Sequence, residues 1–199
     1  NAITKATKND LQCAVIFIDL DKFKPVNDSF GHAVGDKLLC NITERVALYL
    51  GDHATFGRQS GDEFLVLIEN ITSMSSLQHT LNEMSNELAS KVIIEDFSIN
   101  ISASIGIALY PHDACSTDAL IRNADIAMMH AKQAGRNGFQ FFNEKMNEQI
   151  KQKLILENDL KDAAKDNQLF NHYQPVVNTK DKTISGVELL MRWENQGKL

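Results

Sequence analysis

Basic charge, cysteine, proline and long apolar runs are all scarce in this chain. Lys and Arg total 20 against 26 Asp and Glu, a formal net charge of −6. A nucleic-acid footprint needs clustered Lys and Arg, so that class of partner is excluded, while single basic groups remain to serve a small anionic ligand. The three cysteines, Cys13, Cys40 and Cys115, are odd in number and have no ligand-like spacing. Cys13 and Cys40 sit in apolar runs, which favours packing over redox or metal roles. Free thiols suit a reducing cytoplasm. No signal peptide and no apolar stretch near the length of a membrane span is present. With only 3 prolines and 43% hydrophobic residues, 199 residues can bury a sizeable core, as one domain or one and a fraction. The chain opens inside what reads as a helix and stops abruptly after Gly197-Lys198-Leu199, as a piece of a longer parent would. The expected location is the cytoplasm, with any inner-membrane anchor supplied by parts of the parent outside this chain.

What is present is a pair of apolar runs whose ends carry four carboxylates. Cys13-Ala14-Val15-Ile16-Phe17-Ile18 leads into Asp19-Leu20-Asp21, and Phe64-Leu65-Val66-Leu67-Ile68 is entered from Asp62-Glu63. Unbroken apolar runs read as central strands covered on both faces. Ionised carboxylates at the mouth of such strands are costly to desolvate unless a cation neutralises them. Hard divalent cations take oxygen ligands, and Mg²⁺ keeps open positions for substrate phosphates. The spacing fits a metal mouth and solvated strand ends equally well.

Between and after these strands the pattern turns helical. Leu38, Leu39, Ile42, Val46 and Leu50 fall on one face of a helix over Lys37–Leu50. Residues 54–58 and 63–68 flank Gln59-Ser60-Gly61-Asp62, a Gly-containing tetrapeptide that reads as a hairpin. Residues 75–90 predict a second helix and 99–109 another strand. Ser116 or Thr117 can cap a third helix ending near Gly135, a plausible C′ residue, and 138–142 reads as a short closing strand. From Asn143 the texture changes. Glu144–Lys165 is charged and helical, with Met146, Ile150, Leu154, Ile155 and Leu160 spaced for one face, as in a connecting helix. No internal repeat or low-complexity tract is present.

The residues around the strand mouths carry a resemblance. Asp19-Leu20-Asp21-Lys22-Phe23-Lys24, Asn27-Asp28-Ser29-Phe30-Gly31-His32 and Gly35-Asp36 are similar to the first signature of the GGDEF family of diguanylate cyclases. Gly57-Arg58-Gln59-Ser60-Gly61-Asp62-Glu63-Phe64 resembles the motif that names the family, with Ser in place of the first Gly. Ser104-Ile105-Gly106-Ile107-Ala108 with Tyr110-Pro111 resembles a later block. So do Ala124-Asp125-Ile126-Ala127-Met128 and Ala131-Lys132-Gln133-Ala134-Gly135-Arg136-Asn137. The resemblance implies an α/β (α+β) sandwich like the palm of nucleotidyl cyclases and polymerases, with a mostly antiparallel sheet and flanking helices, over residues 1–142 and lacking its N-terminal portion. Residues 143–166 would be a linker helix.

In that family two GTP-loaded domains meet as a homodimer, and each 3′-OH attacks the α-phosphate of the opposite GTP to give cyclic di-GMP and two pyrophosphates. The resemblance then assigns Asp19, Asp62 and the Leu20 carbonyl to Mg²⁺ or Mn²⁺. Asp62 also matches the acceptor of the 3′-OH proton, and Glu63 a support for metal or developing charge. Asn27 and Asp36 match a guanine-binding pair. An amide and a carboxylate can together meet the acceptor and donors of that base, although both residue types are also common in turns and near helix starts. Lys24, Lys132 and Arg136 match phosphate contacts. Lys132 and Arg136 are four apart at a helix end, where basic groups also favour the helix dipole. Gly61 and Ser60 would form the hairpin tip against the nucleotide. His32 is expected to serve packing or a turn.

Two departures bear on activity. Ser60 adds a side chain at the tip, which predicts retained GTP binding with turnover limited. The window Gly51-Asp52-His53-Ala54 lacks the Arg-x-x-Asp motif of product inhibition, so the bidentate guanidinium grip is lost and feedback there is not expected. Downstream, His172-Tyr173-Gln174-Pro175-Val176-Val177 and Gly186-Val187-Glu188-Leu189-Leu190-Met191-Arg192-Trp193 resemble the opening of an EAL-type cyclic di-GMP phosphodiesterase, a (β/α)-barrel. This implies a metal-binding role for Glu188, a substrate-phosphate contact for Arg192 and a dinucleotide contact for Gln174. Residues 167–199 cannot close a barrel, and one carboxylate cannot assemble a two-metal hydrolase. The leading expectation is a cyclase module of a two-domain cyclase–phosphodiesterase parent. The rival is a non-catalytic GTP-binding domain that regulates the phosphodiesterase half.

Overall fold

In a computed structural model the structure describes residues 2–50 and 54–194. The window proposed to lack the product-inhibition motif falls largely outside them. Two compact units are present, Asn1–Asn147 and Glu148–Leu199.

The first unit is built on β1 (Gln12–Asp21), which is flanked by β3 (Glu63–Ile71) and β6 (Ser102–Tyr110), both antiparallel to it. The antiparallel edge strand β2 (Ala54–Ser60) pairs with β3, and the parallel edge strand β7 (Gly138–Phe141) pairs with β6. The order is β2-β3-β1-β6-β7. Both faces of β1 are covered, which is why its sequence is uniformly apolar rather than alternating.

Alternation of side chains along β1 divides the core in two. Ala14, Ile16, Ile18 and Leu20 face α2 (Phe23–Phe30), α3 (His32–Leu50) and α4 (Met74–Ala89), and join Leu38, Ile42, Leu81 and Met84 in one cluster. Cys13, Val15 and Phe17 face the other way, towards α1 (Ala2–Asn9) and α5 (Thr117–Gln133), packing with Ala6, Leu120, Ala124 and Met128. Truncating Ile16 or Leu81, each fully buried, to alanine costs about 2–5 kcal/mol.

Local chemistry accounts for the element ends. Ser116 caps α5 by accepting from the Ala119 N–H, and Ser73 caps α4 through Ser76. At the other end of α5, Gly135 is the C′ residue and the Arg136 N–H reaches back to the Ala131 carbonyl at 3.0 Å, a Schellman closure. Helix α2 replaces the turn expected around Asn27. Its Pro25 falls in the first turn, where N–H groups have no intrahelical partner. Helix α3 starts at His32 rather than Lys37 because Gly35 packs against Asn27 instead of breaking the helix. The strand expected over 99–109 is divided. Its start belongs to a small hairpin of β4 (Val92–Ile94) and β5 (Phe97–Ile99). Cys13 is buried as expected, whereas Cys40 is exposed on α3.

Helix α6 (Glu144–Lys165) spans the division between the units. Met146 is buried, but Leu154, Ile155 and Leu160 are exposed, so the apolar stripe read as one packing face is largely unburied among the described residues. The second unit continues with the antiparallel hairpin β8 (Leu169–Val177) and β9 (Ile184–Trp193).

Candidate functional site

Side chains two apart on a strand share a face, so Asp19 and Asp21 extend the Cys13-Val15-Phe17 face, the one α5 covers. They lie directly opposite Ser104 and Ser102 on β6, and Asp19 lies opposite Glu63 on β3. The C-terminal end of α5 therefore arrives over both aspartates. Lys132, in its last turn, places Nζ 2.7 Å from Asp19 Oδ2. Arg136 stands beyond the helix in the left-handed region, with Nε 3.9 Å from Asp21 Oδ1. The two basic residues reach the same mouth from different backbone settings, one helical and one looped.

Asp62 sits at the β2–β3 turn, where the Leu20 N–H donates to the Asp62 carbonyl at 3.2 Å and ties the hairpin tip to β1. Of the two tip residues only Gly61 is left-handed, with φ +50°; Ser60 is the last residue of β2 and pairs with Glu63. The Arg58 side chain donates from Nε to the Gly61 carbonyl at 2.8 Å, and the Ser60 hydroxyl donates to Glu63 Oε2 at 2.9 Å.

Asp19 is 8% exposed. Burial above all raises its pKa, the Asp62 and Glu63 charges add to the rise, and the Lys132 hydrogen bond opposes it. Asp125, half-buried on α5, is also raised, by burial and then by Glu63, against Lys132. Four carboxylates thus act on one neighbourhood in which Lys132 makes the close ion pair. Among the described residues, no three His, Cys, Asp or Glu side chains already stand together as a metal cluster. The donor chemistry nonetheless fits a hard divalent cation, because the local charge is in anionic excess and every carboxylate offers oxygen.

Asn27 lies on α2 and Asp36 in the first turns of α3. Asn27 Oδ1 is buried without a hydrogen-bond partner and occupies the space a side chain at Gly35 would need, one residue before the exposed Asp36. The Asn27 amide is therefore packed into the α2–α3 contact, where an unsatisfied acceptor is costly. Lys24 is exposed on α2, and His32 is exposed at the start of α3, outside the core. A cleft of about 600 Å³ runs beside α2 and includes Lys22, Ser29 and Arg136.

Two residues had no role assigned from sequence. Asp21 is 5% exposed and accepts from Ser102 Oγ and Ser104 Oγ, both at 2.7 Å, and from the Asn137 N–H at 3.1 Å. It clamps β6 and the α5–β7 loop onto β1. Its signal was the i, i+2 spacing from Asp19. Asp125 precedes Lys132 by seven residues, two helical turns, which places both on one side of α5.

In the second unit, Gln174 lies directly opposite Glu188 and Phe170 opposite Arg192. Period-two alternation puts Gln174, Glu188 and Arg192 on one hairpin face, and Tyr173, Val187, Leu189 and Met191 on the other.

Comparison with known proteins places this geometry in a class. A family model described as diguanylate cyclase, GGDEF domain, matches residues 1–138, and the chain belongs to that family. The chain is 42% identical over 98% of its length to the bifunctional diguanylate cyclase/cyclic di-GMP phosphodiesterase MucR of Pseudomonas aeruginosa, covering 28% of that protein. It is 36% identical over 98% of its length to the cyclic di-GMP phosphodiesterase PdeR of Escherichia coli, covering 29% of it. The crystal structure of the GGDEF domain of YfiN (TpbB) from P. aeruginosa superposes with a TM-score of 0.69 at 35% identity, over 71% of this chain and 89% of that one. The chain thus spans less than a third of these two curated relatives. The expected palm-like α/β fold, with a mixed and mostly antiparallel sheet, is the fold of the first unit.

Proposed function

We propose that this chain is the diguanylate cyclase module of a longer cyclase–phosphodiesterase protein, condensing two GTP to cyclic di-GMP and two pyrophosphates. The observation that carries this reading is the excess of carboxylate around the buried Asp19. Without a divalent cation that mouth repels a triphosphate; with one it attracts it. Asp19, Asp62 and the Leu20 carbonyl are the proposed ligands for Mg²⁺ or Mn²⁺, with Glu63 in support. When bound, the metal neutralises and polarises the phosphates.

The chain's own residues do the remaining work. Lys132 and Arg136 hold phosphate oxygens at the end of α5, and Lys24 adds charge from α2. Asn27 and Asp36 read guanine, an amide and a carboxylate together meeting the acceptor and donors of the base. Gly61 and Ser60 present the tip to the nucleotide. Asp62 accepts the proton of the attacking 3′-OH, and the second GTP comes from a second copy in a homodimer. Positioning and charge neutralisation are what phosphoryl transfer chiefly asks of a protein.

We assign residues 1–142 to the cyclase module, 143–166 to a linker helix and 167–199 to the start of an EAL-like domain. The shared hairpin face of Gln174, Glu188 and Arg192 supports that last assignment, although β8 and β9 are antiparallel, unlike the parallel helix-linked strands of a (β/α) barrel. Any hydrolase activity belongs to the full-length protein. A second reading, a GTP-binding domain that regulates a phosphodiesterase, is favoured by one observation: PdeR, matched over nearly all of this chain, is named for phosphodiesterase alone.

Titration with GTP tests the site. Binding is expected to require Mg²⁺ and to weaken strongly in Asp19→Asn and Asp62→Asn. Unchanged metal-dependent binding in both variants removes them as ligands.

A further inference from the structure

Ser60 is the residue at which this chain leaves its family's motif, and its hydroxyl is engaged. It donates to Glu63 Oε2 at 2.9 Å, across a pair of residues that the strand register already sets opposite one another. The turn places no steric demand for glycine at position 60, since the left-handed residue is Gly61. The Arg58 bond to the Gly61 carbonyl holds the tip from the other side.

Glu63 needs such a tie. Its strand neighbour is Asp19, its charge raises the proton affinities of Asp19 and Asp125, and among the described residues it has no ion-pair partner. Like-charge repulsion would spread an untied glutamate over several rotamers. A hydroxyl donor fixes one of its oxygens without adding charge. A glycine at position 60 offers no such donor.

We propose that Ser60 is a positioning residue, whose hydroxyl holds the Glu63 carboxylate in one orientation beside Asp19 and Asp62. The consequence for catalysis rests on the reading of this mouth as a metal and GTP site; the tie itself does not. The hydroxyl then aids turnover rather than limiting it, the reverse of what the sequence alone predicts for this substitution.

Ser60→Ala, Ser60→Gly and Ser60→Thr in the full-length protein test it. Pyrophosphate release from GTP with Mg²⁺ should fall about 2- to 10-fold in the alanine and glycine variants, the range one exposed hydrogen bond supports. The loss should appear in kcat, with KM little changed. Thr keeps the hydroxyl and suits a strand, so it should restore wild-type kcat. Crystal structures of metal-free wild type and Ser60→Ala supply a readout independent of activity: one Glu63 orientation in the first, several in the second. Faster turnover in Ser60→Gly overturns the proposal. So does a Thr variant that behaves like Ala, or a Glu63 equally ordered without the hydroxyl. If wild type neither binds GTP nor releases pyrophosphate, the reading of the site fails, and the order of Glu63 alone decides the positioning claim.

Discussion

Asp19 and Asp21 stand two residues apart on one strand and face the same side of the sheet, yet their neighbourhoods are opposites. Asp21 has two hydroxyls, a backbone N–H and a distant guanidinium around it, so its charge is met by donors. Asp19 has Asp62 and Glu63 acting against it and Lys132 as its close partner. A carboxylate surrounded by donors is a structural clamp, whereas one crowded by other carboxylates is where the proposed cation would relieve repulsion. Residue type, strand and face are the same in both cases; what differs is the strand and helix ends brought alongside.

The largest effect expected from breaking this contrast is on the crowded side. Asp19→Asn or Asp62→Asn should reduce pyrophosphate release from GTP on the order of 10²–10³-fold, as loss of a charge-stabilising group does. Single-turnover assays at saturating Mg²⁺ check it. On the clamped side the effect is on stability. Asp21→Ala leaves two hydroxyls and an amide without their acceptor, and chemical denaturation should show a loss of about 2–4 kcal/mol. Asp19→Ala should show no comparable loss.

Smaller is the change in base selection. Asp36→Ala should shrink the preference for GTP over ATP by about 10-fold, the equivalent of one polar contact. Equal affinity of wild type for both nucleotides would remove Asn27 and Asp36 as the guanine pair.

The smallest effect is a pH dependence. Burial and the neighbouring carboxylates raise Asp19 above the ordinary 3.8, so the folded metal-free protein keeps a proton that the unfolded chain releases. Stability from this group is therefore full below pH 3.8 and is lost as pH rises through the raised value. Asp19→Asn cannot ionise. Its melting temperature without metal should exceed that of wild type at pH 7, by on the order of 2 °C, and the gap should close in acid. Mg²⁺ should narrow the gap at pH 7 by stabilising wild type alone. A gap independent of pH would mean that the crowding of Asp19 costs the fold nothing.

Much of this site was legible in the sequence. The unbroken apolar runs before Asp19 and after Glu63 read as central strands covered on both faces, which holds for β1, whereas Leu65 and Leu67 of β3 are only partly buried; Ser116 and Gly135 marked both ends of α5. Helix α2 was hidden because eight residues carry too few apolar positions to show a period, and its proline reads as a breaker unless the first turn is already known. The β4–β5 hairpin has strands of three residues, too short for alternation to register. The work of Asp21 was invisible because its partners, Ser102, Ser104 and Asn137, are distant in sequence and only the antiparallel register brings them opposite. The stripe on α6 shows the converse: periodic leucines and isoleucines specify a helix, but burial requires a facing surface that periodicity does not supply.

The mouth around Asp19 is proposed to turn over GTP. The most direct test is to give the full-length protein GTP and Mg²⁺ and follow pyrophosphate, which is released at the condensation step whatever later becomes of the dinucleotide. One pyrophosphate should appear per GTP consumed, with release reduced on the order of 10²–10³-fold in Asp62→Asn. A folded, dimeric protein that binds GTP with Mg²⁺ and returns it intact would contradict it, leaving the regulatory reading in its place.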